Sequence, residues 1–197
     1  IAWMLVTTGV FYYFAKKLLK SVFATSVATL IFVIFTTLPW LEGHIPNGEL
    51  FVLGFVLTGM LILSHTSYFT RFLEAKSNPK NHLLALFISG VFMGLGVLTK
   101  VPAILDFASV CSIAYFTWIQ TASFKNWRKA LTNLGQPLLQ LLALFAGLIV
   151  PIIASVIYFI SIGSGQDYLD FGLLYNFRYA GSWGLPFTNP LLLWSFT

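Results

Sequence analysis

Charge is what this sequence has least of. Only 9% of its 197 residues are Asp, Glu, Lys or Arg, against about 25% in an ordinary soluble domain. So few charges cannot cover a water-facing surface, which excludes a soluble globular domain. Cysteine is nearly absent too. The single Cys111 lies in an apolar stretch, which excludes a disulfide framework and a thiolate metal site. There is no Walker loop, GxSxG, HExxH or paired CxxC, so the nucleotide-binding, hydrolase and zinc chemistries those motifs carry have no foothold. Internal repeats and low-complexity tracts are also missing.

Apolar and aromatic residues fill the space. Hydrophobic residues make up 58% of the chain, with 20 Phe, 8 Tyr and 6 Trp, a load suited to lipid contact and interfacial belts. A membrane helix needs about 20 apolar residues to cross roughly 30 Å of hydrocarbon. Such runs fall at about 1–15, 21–41, 49–69, 83–99, 103–121 and 136–160, with another beginning at 189–197. The expected fold is an all-α polytopic bundle forming one transmembrane domain over 1–197. It would have about five complete spans and truncated spans at both ends. The opening "IAWMLVTTGVFYYFAKK" has no n-region or cleavage site and reads as part of a span. With the apolar run begun at "NPLLLWSFT", it suggests a piece of a longer protein.

The run 83–121 has to be divided. As one helix it would be nearly 60 Å long, about twice the hydrocarbon thickness. Thr99-Lys100-Val101-Pro102 is the natural break, because proline is tolerated in the first turn of a helix and not in its interior. The basic residues support the division. Lys16, Lys17 and Lys20 fall in one connector, Arg71, Lys76 and Lys80 in a second, and Lys125, Arg128 and Lys129 in a third. With a break at Lys100 all three connectors share a face, which the positive-inside rule assigns to the cytoplasm. Inner loops are then expected at about 16–20, 70–82 and 122–135, and outer loops at about 42–48, 99–102 and 161–188. The basic pI near 9.4 is thus a topology signal, with anionic lipid headgroups as contacts and no role for nucleic acid.

The outer face carries few polar groups, and these are the candidate site residues. Lys100 reads either as a lysine snorkelling to headgroups or as a phosphate contact. Asp106 sits in the first turn of the next helix, where the macrodipole favours a carboxylate, within range of pairing with Lys100. Glu49 starts a span in "IPNGELF" and is either a helix N-terminal acid or a site carboxylate. Glu42 and His44, with Glu49, offer oxygen and nitrogen ligands to a divalent metal, though their spacing matches no recognised motif. Asp167, Tyr168, Asp170, Tyr175, Asn176 and Arg178 lie in a loop of alternating aromatic and polar residues. That loop reads as an interfacial piece or as a wall for a sugar.

Two stretches carry a resemblance. The outer connector ending Pro46-Asn47-Gly48-Glu49, and "SGVFMGLGVLTKVPAIL" with its Leu-Thr-Lys turn, resemble the GT-C membrane glycosyltransferases, in the protein-mannosyltransferase and aminoarabinose-transferase-like branch. The resemblance covers about residues 1–125. It implies an enzyme taking a sugar from a polyprenyl-phosphate carrier to a protein, lipid or glycan acceptor on the non-cytoplasmic face of a bacterial or archaeal plasma membrane. Glu49 falls on the family's second outer acidic position and Lys100 on the basic residue of the hairpin; Arg178, the other outer basic residue, is a second candidate phosphate contact by its charge and placement alone. The family's catalytic aspartate lies in an outer loop before the first span seen here, and no residue of this chain matches it. A transporter or lipid flippase is the competing reading; against it, the charges gather at the outer surface and not near the midplane.

Overall fold

The computed structural model describes residues 1–38, 47–66, 82–121 and 135–175. Every regular element among them is helical: α1 (Ala2–Leu19), α2 (Val22–Thr37), α3 (Gly48–Leu63), α4 (His82–Thr99), a 3-10 turn (Val101–Ala103), α5 (Ile104–Thr121), α6 (Gly135–Ser161), and a single turn Gly165–Asp167 leading into a π-helical turn, Tyr168–Leu173. The all-α expectation holds for these residues. The segment Leu138–Ser161 is the one described helix long and apolar enough to cross a membrane by length and composition. The 16-residue α2 and α3 extend only about 24 Å each.

Local sequence explains where the helices stop. Lys20 takes a left-handed conformation (φ 54°) and bonds back to the carbonyl of Lys16, and the Ser21 hydroxyl then accepts the Ala24 N–H at 3.3 Å to cap α2, a preferred N-cap. Only a very short reversal separates α1 from α2. The run expected to 41 ends in the structure at Thr37. Leu38 is extended, the conformation favoured before proline, and Pro39 follows it in the sequence. The run expected to 69 ends as a helix at Leu63. Ser64, His65 and Thr66 turn their side chains onto the carbonyls of Leu61 and Leu63, and their own N–H groups complete the final turn. Short polar side chains that satisfy the last carbonyls compete with continuing the helix.

The contacts divide the chain into two units, Ile1–Ile152 and Ile153–Thr197. In the first, α1 packs on α2 and α3, and α3 makes its most extensive contact with α4. The core joins Leu63, Leu86, Met93, Val97, Phe107 and Leu148. Trp3 closes α1 onto α3: its indole N–H donates to the Leu50 carbonyl at 3.0 Å, and its ring lies against Phe51 and Phe55. The Ser89 hydroxyl donates to the Gly59 carbonyl at 2.8 Å, a polar stitch between α4 and α3. Closest of all is the crossing of α4 and α6, where a Cβ added at Gly90 would lie 2.0 Å from the Leu144 carbonyl oxygen and one at Gly147 would lie 2.0 Å from that of Phe87. Two backbones touch there because neither residue has a side chain.

In the second unit, the stretch expected to be a loop from 161 is helical over 165–173. Gly163 reverses the chain with φ 79°, and Tyr168 stacks on Phe159 with ring centroids 4.2 Å apart. The Tyr168 hydroxyl meets that of Ser155 at 2.8 Å. Gln166 donates to Asp170 at 3.2 Å, a favourable i, i+4 pair. Aromatic residues whose pattern suggests an irregular loop are thus partly spent on holding a helical turn against the end of α6.

Candidate functional site

The sequence builds a charged cleft at the break between α4 and α5. The Thr99 hydroxyl bonds back to Leu95, and the Lys100 N–H reaches the Gly96 carbonyl at 2.9 Å as the last helical bond. Lys100 itself is extended (φ −155°, ψ 117°), and Val101-Pro102-Ala103 form one 3-10 turn before α5. Proline has no N–H to donate and its ring crowds the preceding turn, which favours ending α4 here. The start of α3 lies beside the break. Asn47 caps it by accepting the Leu50 N–H at 3.3 Å, which sets Glu49 in the first turn.

The ammonium of Lys100 donates to a carboxylate oxygen of Glu49, forming an ion pair between residues 51 apart in sequence. Both side chains stay open, at 42% and 58% exposure respectively. They border a cleft of about 410 Å³ whose third charged group is Asp106. Its apolar wall is Val52, Leu53 and Val56 of α3, with Pro102 and Ala103 of the turn. A pairing of Lys100 with Asp106 is open from the sequence; in the structure the ammonium meets Glu49 of α3 instead.

Glu49 precedes the apolar part of α3, 50–63. The hydrogen bond from Lys100 holds its carboxyl below the usual glutamate range, with a second contribution from its own backbone N–H and opposition from slight burial. Because the folded-state pKa is depressed, the pair's stabilisation is fully present above the unfolded glutamate value and is lost as pH falls through the folded one. For an exposed pair it amounts to no more than about 1 kcal/mol. The stability difference between wild type and Glu49→Gln is therefore expected to stay constant above the usual glutamate range and to shrink as pH falls below it. Denaturation in detergent across that range measures it.

Gly48 adjoins the pair. A Cβ there would lie 3.9 Å from Lys100 Cδ and from the Thr99 carbonyl oxygen, an ordinary contact. Gly48→Ala is expected to leave the site intact and raise stability by up to about 1 kcal/mol, as a thermal melt would show.

Of the other candidates, Tyr168 and Asp170 make the contacts of the second unit described above, and Asp167 and Tyr175 belong to the same unit. Glu42, His44, Asn176 and Arg178 lie outside the described residues. Among the described residues no three His, Cys, Asp or Glu side chains gather as a metal site. The Glu49–Lys100 pair is absent from the sequence-based expectations. The signal for it is that both charges sit at helix ends that antiparallel packing brings to one side. Compared with known protein families, curated proteins and solved structures, the chain matches none.

Proposed function

We propose that this protein is a multi-pass membrane glycosyltransferase that moves a sugar from a polyprenyl-phosphate carrier to a protein, lipid or glycan acceptor on the non-cytoplasmic side. The observation that carries the reading is the cleft at Lys100, where an accessible ammonium, held by Glu49 at a helix break, borders an apolar wall. An ammonium has three donors; Glu49 accepts one, which leaves two for phosphate oxygens. As the bond from the sugar's anomeric carbon to the phosphate oxygen breaks, its electron pair goes to the phosphate, and a fixed cation stabilises the charge that develops. The acceptor oxygen or nitrogen bonds to the anomeric carbon, and its proton goes to a base. In this reading the base is the aspartate implied by the family resemblance, and Glu49 positions Lys100.

The membrane setting is supported by the apolar Leu138–Ser161 and by large side chains left outside the core, among them Phe23 (80% exposed), Leu30 (60%) and Ile157 (61%). Water does not favour so much exposed apolar area, whereas lipid does. The grouping of nine of the eleven Lys/Arg in three clusters, the first of them at the end of α1 and the turn after it, supports a cytoplasmic placement of those clusters.

The test is transfer of labelled sugar from a polyprenyl-phosphate donor by membranes carrying the full-length protein, with thiol labelling from each side in a Cys111→Ser background. Transfer together with inner-face labelling of Asn78→Cys and Asn126→Cys is expected. Labelling of these two positions from opposite faces would refute the topology. Movement of the intact lipid-linked sugar across the bilayer, without cleavage, would favour a flippase.

A further inference from the structure

Asp106 has no task in the chemistry above. It is exposed in the first turn of α5, lines the cleft, and has no hydrogen bond or ion pair with any described residue. Lys100 and Glu49 largely neutralise each other, so the cleft's two carboxylates and one ammonium leave a single negative charge, and it sits on Asp106. An occupant matching the whole cleft needs a cationic group for Asp106 and an apolar body for Val52, Leu53 and Pro102. Its cation should carry N–H donors, since a carboxylate gains most from a charge-assisted hydrogen bond. A quaternary ammonium is recognised by aromatic faces, and none of the lining residues is aromatic.

We propose that Asp106 is the recognition point for the primary ammonium of an aminophospholipid that enters the cleft. This binding does not depend on the proposed glycosyl transfer, and it is read separately. Phosphatidylethanolamine and phosphatidylcholine with the same labelled tails make the test, because they share phosphate, chain and net charge and differ in the N–H donors. Binding to the full-length protein in detergent is expected to favour phosphatidylethanolamine by about tenfold, equivalent to about 1.4 kcal/mol. Asp106→Asn should abolish the preference without changing the melting temperature, and Asp106→Glu should keep most of it. Soluble phosphoethanolamine should fail to compete, since it lacks the chain that the apolar wall receives. Equal binding of the two lipids by wild type, a preference that survives Asp106→Asn, or competition by phosphoethanolamine at the lipid's own potency would each overturn the proposal. Sugar transfer with no lipid preference would overturn it and leave the glycosyltransferase reading standing. A lipid preference without transfer would do the reverse.

Discussion

Lys100→Met is expected to lower kcat/KM for the lipid-linked donor at least tenfold while hardly changing stability. The two effects separate because the ion pair is open to solvent. Losing an exposed pair costs about 0–1 kcal/mol of folding free energy, and the Glu49 carboxylate left behind is 58% exposed and remains hydrated. A charge-assisted hydrogen bond to a phosphate is worth about 1.5–3 kcal/mol, and each 1.36 kcal/mol is about tenfold in rate. Lys100→Arg should retain part of the activity, since it keeps the charge but changes reach and geometry. Glu49→Gln should cost less than Lys100→Met, because it leaves the ammonium and removes only its anchor. Donor kinetics of the three variants, with melting temperatures measured alongside, decide the matter. A well-folded Lys100→Met enzyme with unchanged donor kinetics would make Lys100 an interfacial lysine and no more.

The largest structural effect is expected at the crossing of α4 and α6. A methyl group at Gly90 meets the Leu144 carbonyl at 2.0 Å and the Leu148 nitrogen at 2.9 Å. These are backbone atoms and have no rotamer to change, so the helices must separate. Gly94, one turn on, is pressed in the same way against the Leu148 carbonyl and the ring of Pro151. The interface is therefore a small-residue stripe of the kind that lets membrane helices approach closely. Gly90→Ala should destabilise the protein by about 2–3 kcal/mol or more, at the upper end of overpacking costs. Gly147→Ala should cost about as much, and the double variant less than the sum, since one separation of the helices relieves both clashes. Gly9→Ala in α1 is the control. Its added Cβ has nothing within 4 Å, and the exchange should be neutral or stabilising by up to about 1 kcal/mol. Denaturation of the three single variants in one detergent gives the comparison. Equal stabilities for Gly90→Ala and Gly9→Ala would show that the helices do not cross at these residues.

Several features of the fold are legible in the amino-acid sequence alone. The helix break at Lys100 follows from Pro102 and from the excessive length of an unbroken 83–121, and the starts of α2 and α3 fall within a residue of the apolar runs read from 21 and 49. Apolar runs without strand alternation lead to an all-helical fold. Other features mislead, each for a local reason. Hydropathy carries the third run to 69, but it does not register that Ser64, His65 and Thr66 can bond back to the helix they follow. The aromatic residues after Ser161 look like an irregular loop, because their alternation says nothing of Tyr168 stacking on Phe159.

The sequence by itself thus determined helix type, the break at Lys100 and the scarcity of charge that makes each outer ionic group conspicuous. These depend on dihedral limits, caps and composition, which act over a few residues. Only the tertiary structure decided that Lys100 meets Glu49, 51 residues away, in preference to Asp106, its neighbour in sequence, and that Gly90 faces Gly147. Both choices depend on which helices lie side by side, and that is set by summed packing over the whole core, where no short stretch of sequence names its distant partner.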